Sequence, residues 1–475
     1  MTHRRRLIIA SLAGLAGSAA SAAGAASPPA LKRPPNIVVI LADDLGYADL
    51  GCYGNPGKPT PRLDKMAREG MRFTDFHANG PMCSPTRAAF LTGRYPQRVG
   101  IESALPIMEF PAERHGLPAK TVTLAQHLRA AGYETGLFGK WHLGHHPDEN
   151  PVRFGFGEFR GLICSEGDYS AQINRAGLPD WWENEVLKPE KQPGNTTRLI
   201  TDYSIQFIQR NKARPFFLFV SHAAIHFPWM RSSDEPHRKL GKGYYGITNP
   251  ADSRLGPHVG GPELREVVQE MIGDVDRSTG RILDPLRQLG LEGDTLVIFT
   301  SDNGGYLEYQ GRYRGEISNH GAYQGGKMSL FEGGHRVPAI ARWPGQIPAG
   351  RTSAAVAMTM DIVPTALELA GVPLPETKVL HPDGVSLVKH LQKEDALPER
   401  SVFWRFRGRR AVRSGPWKLH LSKENAPALF RLDQDPGETR NLAKTEPAIV
   451  ERLTREITEW ERDVDRSLAN IGRTP

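Results

Sequence analysis

The chain has 475 residues, a formal net charge of +7, 39% hydrophobic residues and 24% charged residues. This length predicts about two to four domains and is ample for a large buried core. The composition is that of a soluble globular protein and excludes a disordered chain. The three cysteines are too few for a disulfide framework and match no zinc-finger spacing, so both kinds of scaffold are excluded.

The first 26 residues are typical of a secretory signal peptide. Met1–Arg6 contains three arginines and no acidic residue, and the following stretch is rich in Leu, Ala, Gly and Ser and ends in the small residues Ala23–Ala26. The stretch is too weakly apolar for a stable membrane anchor. Arg4-Arg5-Arg6-Leu7-Ile8 resembles a twin-arginine export signal, so we expect export to the bacterial periplasm or the extracellular space.

Loss of this segment removes three arginines and no acidic residue, and lowers the net charge from +7 to +4. A charge of this size gives no basis for a nucleic-acid partner. A second basic cluster, Arg405–Arg413, could bind polyanions, but such runs are more often solvated strand faces.

Strands and helices are predicted to alternate through most of the chain. Continuous apolar runs at 36–41, 216–220 and 295–299 are typical of strands buried on both faces, as in parallel sheets. Helical patterns are predicted at 123–132, around 199–207, from Pro262 through Val275, and at 282–289. Together they predict an α/β fold with a large mixed, mostly parallel sheet flanked by helices.

The C-terminal part has a different character. From about Ser401, short segments alternate around the turns at 414–416 and 435–437, and a helix begins at Pro447. We therefore predict a signal peptide over 1–26, a catalytic domain over 31–395, and a C-terminal subdomain over 396–475. The subdomain is expected to be a small antiparallel sheet plus one helix.

Polar residues follow two of the buried strands. Asp43 and Asp44 come directly after the first strand, and Asp302 and Asn303 come after the strand at 295–299. Ligands bind at the carboxyl ends of strands in open α/β sheets, so these oxygens are expected to converge. Oxygen-only ligands suit Ca²⁺, with Mg²⁺ possible in its place. Taken singly, each residue is more often a turn or helix-cap residue, but for the pair of strand ends a metal site is expected about as often.

A further motif, Cys83-Ser84-Pro85-Thr86-Arg87, is followed by Leu91-Thr92-Gly93-Arg94. With it the chain resembles the type I, formylglycine-dependent sulfatases of the alkaline-phosphatase superfamily. One short match is weak evidence, but several ordered motifs over nearly the whole chain are strong evidence. The others are Ala42-Asp43-Asp44, Gly139-Lys140-Trp141-His142-Leu143-Gly144, His226-Phe227-Pro228, Ser301-Asp302-Asn303-Gly304, Gly326-Lys327, Phe331–Pro338 and Asp433–Leu442.

The resemblance implies that Cys83 is oxidised to formylglycine by a formylglycine-generating maturation enzyme. In the family the hydrated aldehyde attacks the sulfur of a sulfate ester, and its second hydroxyl then expels sulfate and restores the aldehyde. The alternative for Cys83 is a small buried hydrophobic residue, which the surrounding motif argues against.

The resemblance also implies roles for the charged residues. Asp43, Asp44, Asp302 and Asn303, with the modified Cys83, are expected to hold Ca²⁺. Arg87, Lys140 and Lys327 are expected to face the sulfate oxygens. His142 is the expected base for the second hydroxyl, and His226, with Lys327, is the expected acid for the leaving oxygen. Asp302 is also expected to accept the proton of the nucleophile.

Specificity is predicted to lie in residues 155–198, where no family motif falls. Trp181 and Trp182 could form a stacking platform for a sugar ring, or could instead be buried aromatic residues that anchor a loop. His145 could contact substrate, or lie exposed in a loop. Arg312 and Arg314 could bind further sulfates or a uronate carboxylate, or be ordinary surface residues.

Three functions remain open from the sequence. The first is a sulfatase acting on a small-molecule or oligosaccharide sulfate ester, of a sulfated carbohydrate or an aryl sulfate. The second is a phosphonate or phosphate ester hydrolase of the same superfamily, which the all-oxygen ligand set disfavours. The third is a non-catalytic binder of sulfated glycans, which the intact catalytic set disfavours.

Overall fold

The computed structural model describes residues 33–55, 60–106, 115–246, 253–307, 317–377 and 381–470. The predicted signal peptide, Arg312 and Arg314 lie outside these ranges. Within them, no helix combines the length and apolar character needed to cross a membrane. The cysteines Cys52, Cys83 and Cys164 are all free thiols.

Extended segments form three sheets. The strands are β1 (Asn36–Ala42), β2 (Met71–Phe73), β3 (Phe76–His77), β4 (Glu134–Gly139), β5 (Glu158–Gly161), β6 (Trp182–Glu183), β7 (Val186–Leu187), β8 (Phe216–Ser221), β9 (Thr295–Ser301), β10 (Ala339–Arg342), β11 (Arg351–Ser353), β12 (Ala357–Met358), β13 (Ser401–Phe406), β14 (Arg409–Ser414), β15 (Trp417–Leu421) and β16 (Ala428–Arg431). The largest sheet has the order β11-β2-β10-β9-β1-β8-β4-β5-β6-β7.

The centre of the large sheet is parallel and fully buried. β1 pairs in parallel with β8 on one side and with β9 on the other, so Val39 lies opposite both Phe219 and Ile298. Every residue of β1, β8 and β9 is buried, as their continuous apolar runs predict. This confirms the predicted mixed, mostly parallel α/β architecture.

Helices cover both faces of this sheet. The α-helices of the described chain are α1 (Pro61–Arg68), α2 (Cys83–Thr92), α3 (Leu124–Ala130), α4 (Thr196–Asn211), α5 (Leu264–Gln288), α6 (Glu332–His335), α7 (Ile362–Leu369), α8 (Val388–Lys393) and α9 (Pro447–Asn470), of which α9 packs elsewhere. The prediction of two helices over the range of α5 was wrong. The apolar stripe that contains Val275 continues through Ile282, and Pro285 lies in the last turn, where it does not end the helix.

The C-terminal segment forms the predicted antiparallel sheet and helix. β13, β14, β15 and β16 pair in sequence order, and α9 packs on them through the buried Leu453 and Ile457. The basic cluster is largely neutralised by ion pairs. Arg405 contacts Glu102 at 2.7 Å, and Arg413 contacts Asp75 at 2.6 Å. These partners explain the basic run without a polyanionic ligand.

A buried ionic cluster joins the two parts of the chain. Lys418 on β15 lies 2.8 Å from Glu332 Oε1, 3.1 Å from Glu438 Oε1 and 3.0 Å from His335 Nε2. His77, Glu332 and His335 are close enough to share a metal ion, but the Lys418 ammonium already supplies a positive charge there. Burial opposes ionisation of Glu332, but Lys418 holds the pKa of this carboxyl well below its ordinary value.

We expect Lys418→Met to lower the free energy of unfolding by about 3–5 kcal/mol, because Glu332 and Glu438 would remain buried without their shared cation. Urea unfolding monitored by fluorescence measures the loss. Arg431→Gln is the matched control, because Arg431 is 39% exposed and its ion pair is with the exposed Asp433. Its expected cost is below about 1 kcal/mol. Equal midpoints for the two variants would refute a stabilising role for Lys418.

Candidate active site

The parallel pairing of β1 and β9 brings two acidic motifs together. Ala42 lies opposite Ser301, so the next residues, Asp43 and Asp302, emerge side by side from the same sheet edge. The Asp44 N–H donates to Asp302 Oδ1 at 3.2 Å. The Asn303 side-chain amide donates to Asp44 Oδ1 at 2.8 Å. The four polar side chains predicted from the strand ends therefore form one buried cluster.

Several oxygens of this cluster are left without hydrogen bonds. Among the described residues, Asp43 Oδ1, Asp44 Oδ2 and Asn303 Oδ1 are buried and have no hydrogen-bond partner. Burial is the main cause of a raised pKa at both aspartates and at Asp302, where the nearby Asp43 raises it further. Unpartnered buried oxygens are costly and fit a hard divalent cation.

Three basic side chains surround the carboxylates. Arg87 Nη2 donates to Asp302 Oδ2 at 2.8 Å, Lys140 Nζ donates to Asp43 Oδ2, and Lys327 Nζ lies 2.6 Å from Asp44 Oδ1. All three side chains are buried. Each carboxylate thus has at least one cationic partner, and Asp43 and Asp44 each retain one unpartnered oxygen for a further ligand.

Cys83 is the first residue of α2, and its thiol enters the same cluster. Its Sγ lies 3.1 Å from His142 Nδ1, and the residue is 1% exposed. Arg87 follows one turn later, so the helix presents both side chains on one face. Burial raises the pKa of the Cys83 thiol, although Lys140 and Lys327 oppose this effect.

His142 is held in a defined tautomer. Its Nε2 lies 3.1 Å from the Leu105 carbonyl oxygen, which can only accept, so Nε2 carries the proton. The unprotonated Nδ1 therefore faces Cys83. Burial, with the positive charge of Lys140, holds the pKa of His142 well below its ordinary value. A neutral imidazole with its lone pair toward residue 83 can act as a base.

His226 follows β8 and faces Asp44 of the same cluster. Its Nδ1 lies 2.8 Å from the Phe227 carbonyl oxygen, and its Nε2 lies 3.7 Å from Asp44 Oδ2. A carbonyl oxygen can only accept a hydrogen bond, so Nδ1 carries the proton. The nitrogen that faces the cluster, Nε2, is then the unprotonated one. Burial, followed by the charge of Lys327, lowers the pKa of His226 well below its ordinary value.

The structure corrects the sugar-platform prediction for Trp181. This side chain is fully buried in the core and offers no face to a ligand, so the alternative of a buried aromatic anchor applies. Trp182 lies partly buried on β6, and its indole nitrogen donates to Asp180 at 3.1 Å. His145 is 9% exposed, and a substrate contact for it stays a prediction.

Further residues complete the site although no motif indicated them. Ser221, the last residue of β8, accepts a hydrogen bond from Arg87 Nη1 at 2.6 Å. Glu166 Oε2 lies 3.7 Å from His226 Nδ1. The Tyr306 ring lies 4.9 Å from Lys327 Nζ. Only the position of Ser221 at a buried strand end could have indicated it from sequence.

Comparison with known proteins gives a consistent assignment. The sulfatase family model matches residues 35–372. The model of the N-sulphoglucosamine sulphohydrolase C-terminal region matches residues 318–463. N-acetylgalactosamine-6-sulfatase of Sus scrofa is 36% identical over 478 residues, which cover 90% of this chain and 85% of the relative. Arylsulfatase A of Homo sapiens is 35% identical over 476 residues, which cover 89% of this chain and 87% of the relative.

A solved structure has a similar fold over most of the chain. Ps i-CgsB in complex with k-i-k-neocarrahexaose aligns with a TM-score of 0.77 at 28% identity, covering 92% of this chain and 94% of that chain. The sulfatase match spans well over half of the present chain. The chain therefore belongs to the sulfatase family and is a sulfuric ester hydrolase.

Proposed function

We propose that this sulfatase hydrolyses a sulfate ester of a sulfated carbohydrate, with formylglycine derived from Cys83 as nucleophile and Ca²⁺ as its bound cation. The observation that carries the proposal is a single buried cluster at the strand ends. There the Cys83 thiol lies 3.1 Å from His142 Nδ1, beside three cationic side chains and three oxygens that have no hydrogen-bond partner among the described residues.

Similarity to carbohydrate sulfatases supports the substrate class. The relatives include N-acetylgalactosamine-6-sulfatase, and Ps i-CgsB has been solved with k-i-k-neocarrahexaose. The C-terminal region matches the model of N-sulphoglucosamine sulphohydrolases. These names support a sulfated sugar as the natural substrate, while arylsulfatase A among the relatives keeps an aryl sulfate as the second candidate.

The basic residues bind and polarise the sulfate group in this proposal. Arg87, Lys140 and Lys327 are fixed by carboxylates of the same cluster, so their charges are oriented before substrate arrives. Charge that develops on the sulfate oxygens then meets preorganised positive groups, which is usually the largest catalytic contribution.

Two histidines move protons in this proposal, one beside Cys83 and one beside Asp44. His142 accepts a proton at Nδ1 from the group at residue 83, which lies within hydrogen-bond reach. His226 and the Lys327 ammonium deliver a proton to the leaving oxygen. Burial and the charge of Lys327 hold the pKa of His226 well below its ordinary value, and the negative charge of a bound ester opposes this effect and favours the protonated form.

The two groups implied by the family fit the residues present. Asp43, Asp44, Asp302 and Asn303 would hold Ca²⁺, or Mg²⁺ in its place, and the cation would act as a Lewis acid. Formylglycine at residue 83 would supply a hydrated aldehyde as a regenerable nucleophile. We also propose export by the twin-arginine route, with maturation by a formylglycine-generating enzyme.

A substrate panel tests the proposal. Matured protein is assayed with sulfated mono- and oligosaccharides and with phosphate and phosphonate esters of the same alcohols. We expect kcat/KM for the best sulfated sugar to exceed that of its phosphate counterpart by at least about tenfold, a difference of about 1.4 kcal/mol in transition-state binding. A phosphate or phosphonate ester turned over faster than every sulfate would overturn the proposal.

A further inference from the structure

The carbonyl oxygen of Gly305 joins two segments beside the catalytic cluster. It accepts a hydrogen bond from the Lys327 backbone N–H at 2.9 Å, and it lies 3.0 Å from His320 Nε2. A carbonyl oxygen can only accept, so His320 Nε2 carries the proton and donates it to this bond. A single shared acceptor therefore links His320 to Lys327, the residue assigned with His226 to the leaving oxygen.

The backbone around Gly305 is packed too closely for this link to be loose. A Cβ atom on Gly326 would lie 2.6 Å from the Gly305 carbonyl oxygen and 3.3 Å from His320 Nε2. A Cβ atom on Gly305 would lie 2.5 Å from the Asp44 carbonyl oxygen. The imidazole, the Gly305 carbonyl and the Lys327 segment thus form one close-packed unit.

His320 is itself fixed from the side away from Lys327. The preceding residue, Asn319, donates its backbone N–H to Asp49 Oδ1 at 2.9 Å. The Asn319 carbonyl oxygen accepts the Ala48 backbone N–H at 2.8 Å. Asp49 is fully buried, so the segment that carries His320 is anchored to the buried loop that follows β1.

The second ring nitrogen of His320 indicates why a histidine stands at this position. His320 is 2% exposed, and its unprotonated Nδ1 is buried without a hydrogen-bond partner among the described residues. A buried acceptor without a partner destabilises the fold, and a leucine of similar bulk would avoid that cost. The bond made by Nε2, rather than packing, therefore explains the histidine.

We propose that His320 is a positioning residue for the leaving-group step. Through the Gly305 carbonyl it fixes the backbone of Lys327. The Lys327 ammonium, 2.6 Å from Asp44 Oδ1, is thereby held where the leaving oxygen takes its proton. This inference rests on the proposed function, because it takes Lys327 and His226 as the groups that serve the leaving oxygen. It deepens that function by adding a residue that acts through Lys327.

The test uses two leaving groups that differ in their need for a proton. A sugar alkoxide must be protonated as it leaves, whereas 4-nitrophenolate is stable enough to leave without a proton. A displaced Lys327 should therefore slow a sulfated sugar much more than 4-nitrophenyl sulfate. The ratio of the two rates in one preparation does not depend on the fraction of folded protein, so partial misfolding cannot imitate this effect.

Three substitutions of His320 separate its hydrogen bond from its bulk. His320→Leu removes the donor, His320→Gln retains an amide N–H close to the position of Nε2, and His320→Asn places its amide near the position of Nδ1 instead. Burial lowers the pKa of His320 to about 4, so the imidazole is neutral near pH 7 and a neutral amide preserves its charge. The control is His127→Leu, at a half-buried position on α3.

We expect His320→Leu to lower kcat for the sulfated sugar by about 100-fold, a loss that a displacement of about 1 Å can cause. For 4-nitrophenyl sulfate the loss should be less than about tenfold. On the sugar, kcat and kcat/KM should fall together, because the contact with the leaving oxygen forms only in the transition state. His320→Asn should resemble His320→Leu, and His320→Gln should recover most of the loss. His127→Leu should stay within about twofold of wild type.

Two results would overturn the inference while leaving the proposed function intact. The first is the same factor of loss on both esters in His320→Leu, including no loss at all. The second is a His320→Gln variant that is as slow on the sulfated sugar as His320→Leu, which would mean that the Nε2 hydrogen bond has no part in catalysis. Failure of the proposed function looks different, because the matured wild type would then hydrolyse phosphate esters faster than every sulfate.

Discussion

Cys83→Ala is expected to lower kcat/KM for every sulfate ester by at least about 10⁴-fold, because removal of a catalytic nucleophile leaves only binding and charge stabilisation. The fold should be retained, since the change removes one buried sulfur atom at the start of α2. Initial rates with a chromogenic aryl sulfate and with the best sulfated sugar measure the loss.

Cys52→Ala is the matched control for this result. Cys52 is a free thiol of intermediate exposure and bonds through its backbone to Asp64 at 2.8 Å, away from the strand-end cluster. We expect its activity to stay within about twofold of wild type. If Cys83→Ala retained activity comparable to that of Cys52→Ala, the hydrolysis would proceed without a nucleophile at residue 83.

Asp302→Asn is expected to reduce kcat by about 10³-fold, a loss of the size seen when one group that stabilises transition-state charge is removed. Asp302 supplies one of the cluster's oxygens and also binds Arg87 through two hydrogen bonds, at 2.8 and 3.0 Å. The substitution therefore weakens the cation site and removes the negative charge that pairs with Arg87 at the same time.

Cation binding can be followed apart from activity. After chelator treatment, we expect added Ca²⁺ to raise the free energy of unfolding of the wild type by about 2.7 kcal/mol at 100 times its dissociation constant. Asp302→Asn should show a much smaller gain. The control Asp284→Asn, on the surface of α5 and paired with Arg287, should match wild type. Full activity of chelated wild type with no bound metal would contradict a cation-dependent mechanism.

The site could be predicted to a large extent because its parts follow from local sequence. The apolar runs of β1 and β9 define their ends, and parallel pairing then puts Asp43 beside Asp302. Cys83 and Arg87 share a helix face through their spacing alone. These relations depend on short-range patterns and on one rule of sheet topology.

Features that depend on packing between distant segments could not be predicted. Trp181 is buried because the surrounding core closes over it, and nothing in its local sequence distinguishes it from an exposed aromatic residue. Glu166 and Arg238 are separated by 72 positions. Lys418 meets Glu332 across 86 positions. Neither pair belongs to a periodic pattern, so only the fold reveals them.

The most direct test of the proposed chemistry is the mass of the peptide that contains Cys83. The protein is produced in a host with a formylglycine-generating enzyme, digested, and analysed by mass spectrometry beside an activity assay. We predict an aldehyde in place of the thiol, in a fraction that rises in proportion to specific activity. A fully active preparation in which this peptide carries an unmodified thiol would contradict the account.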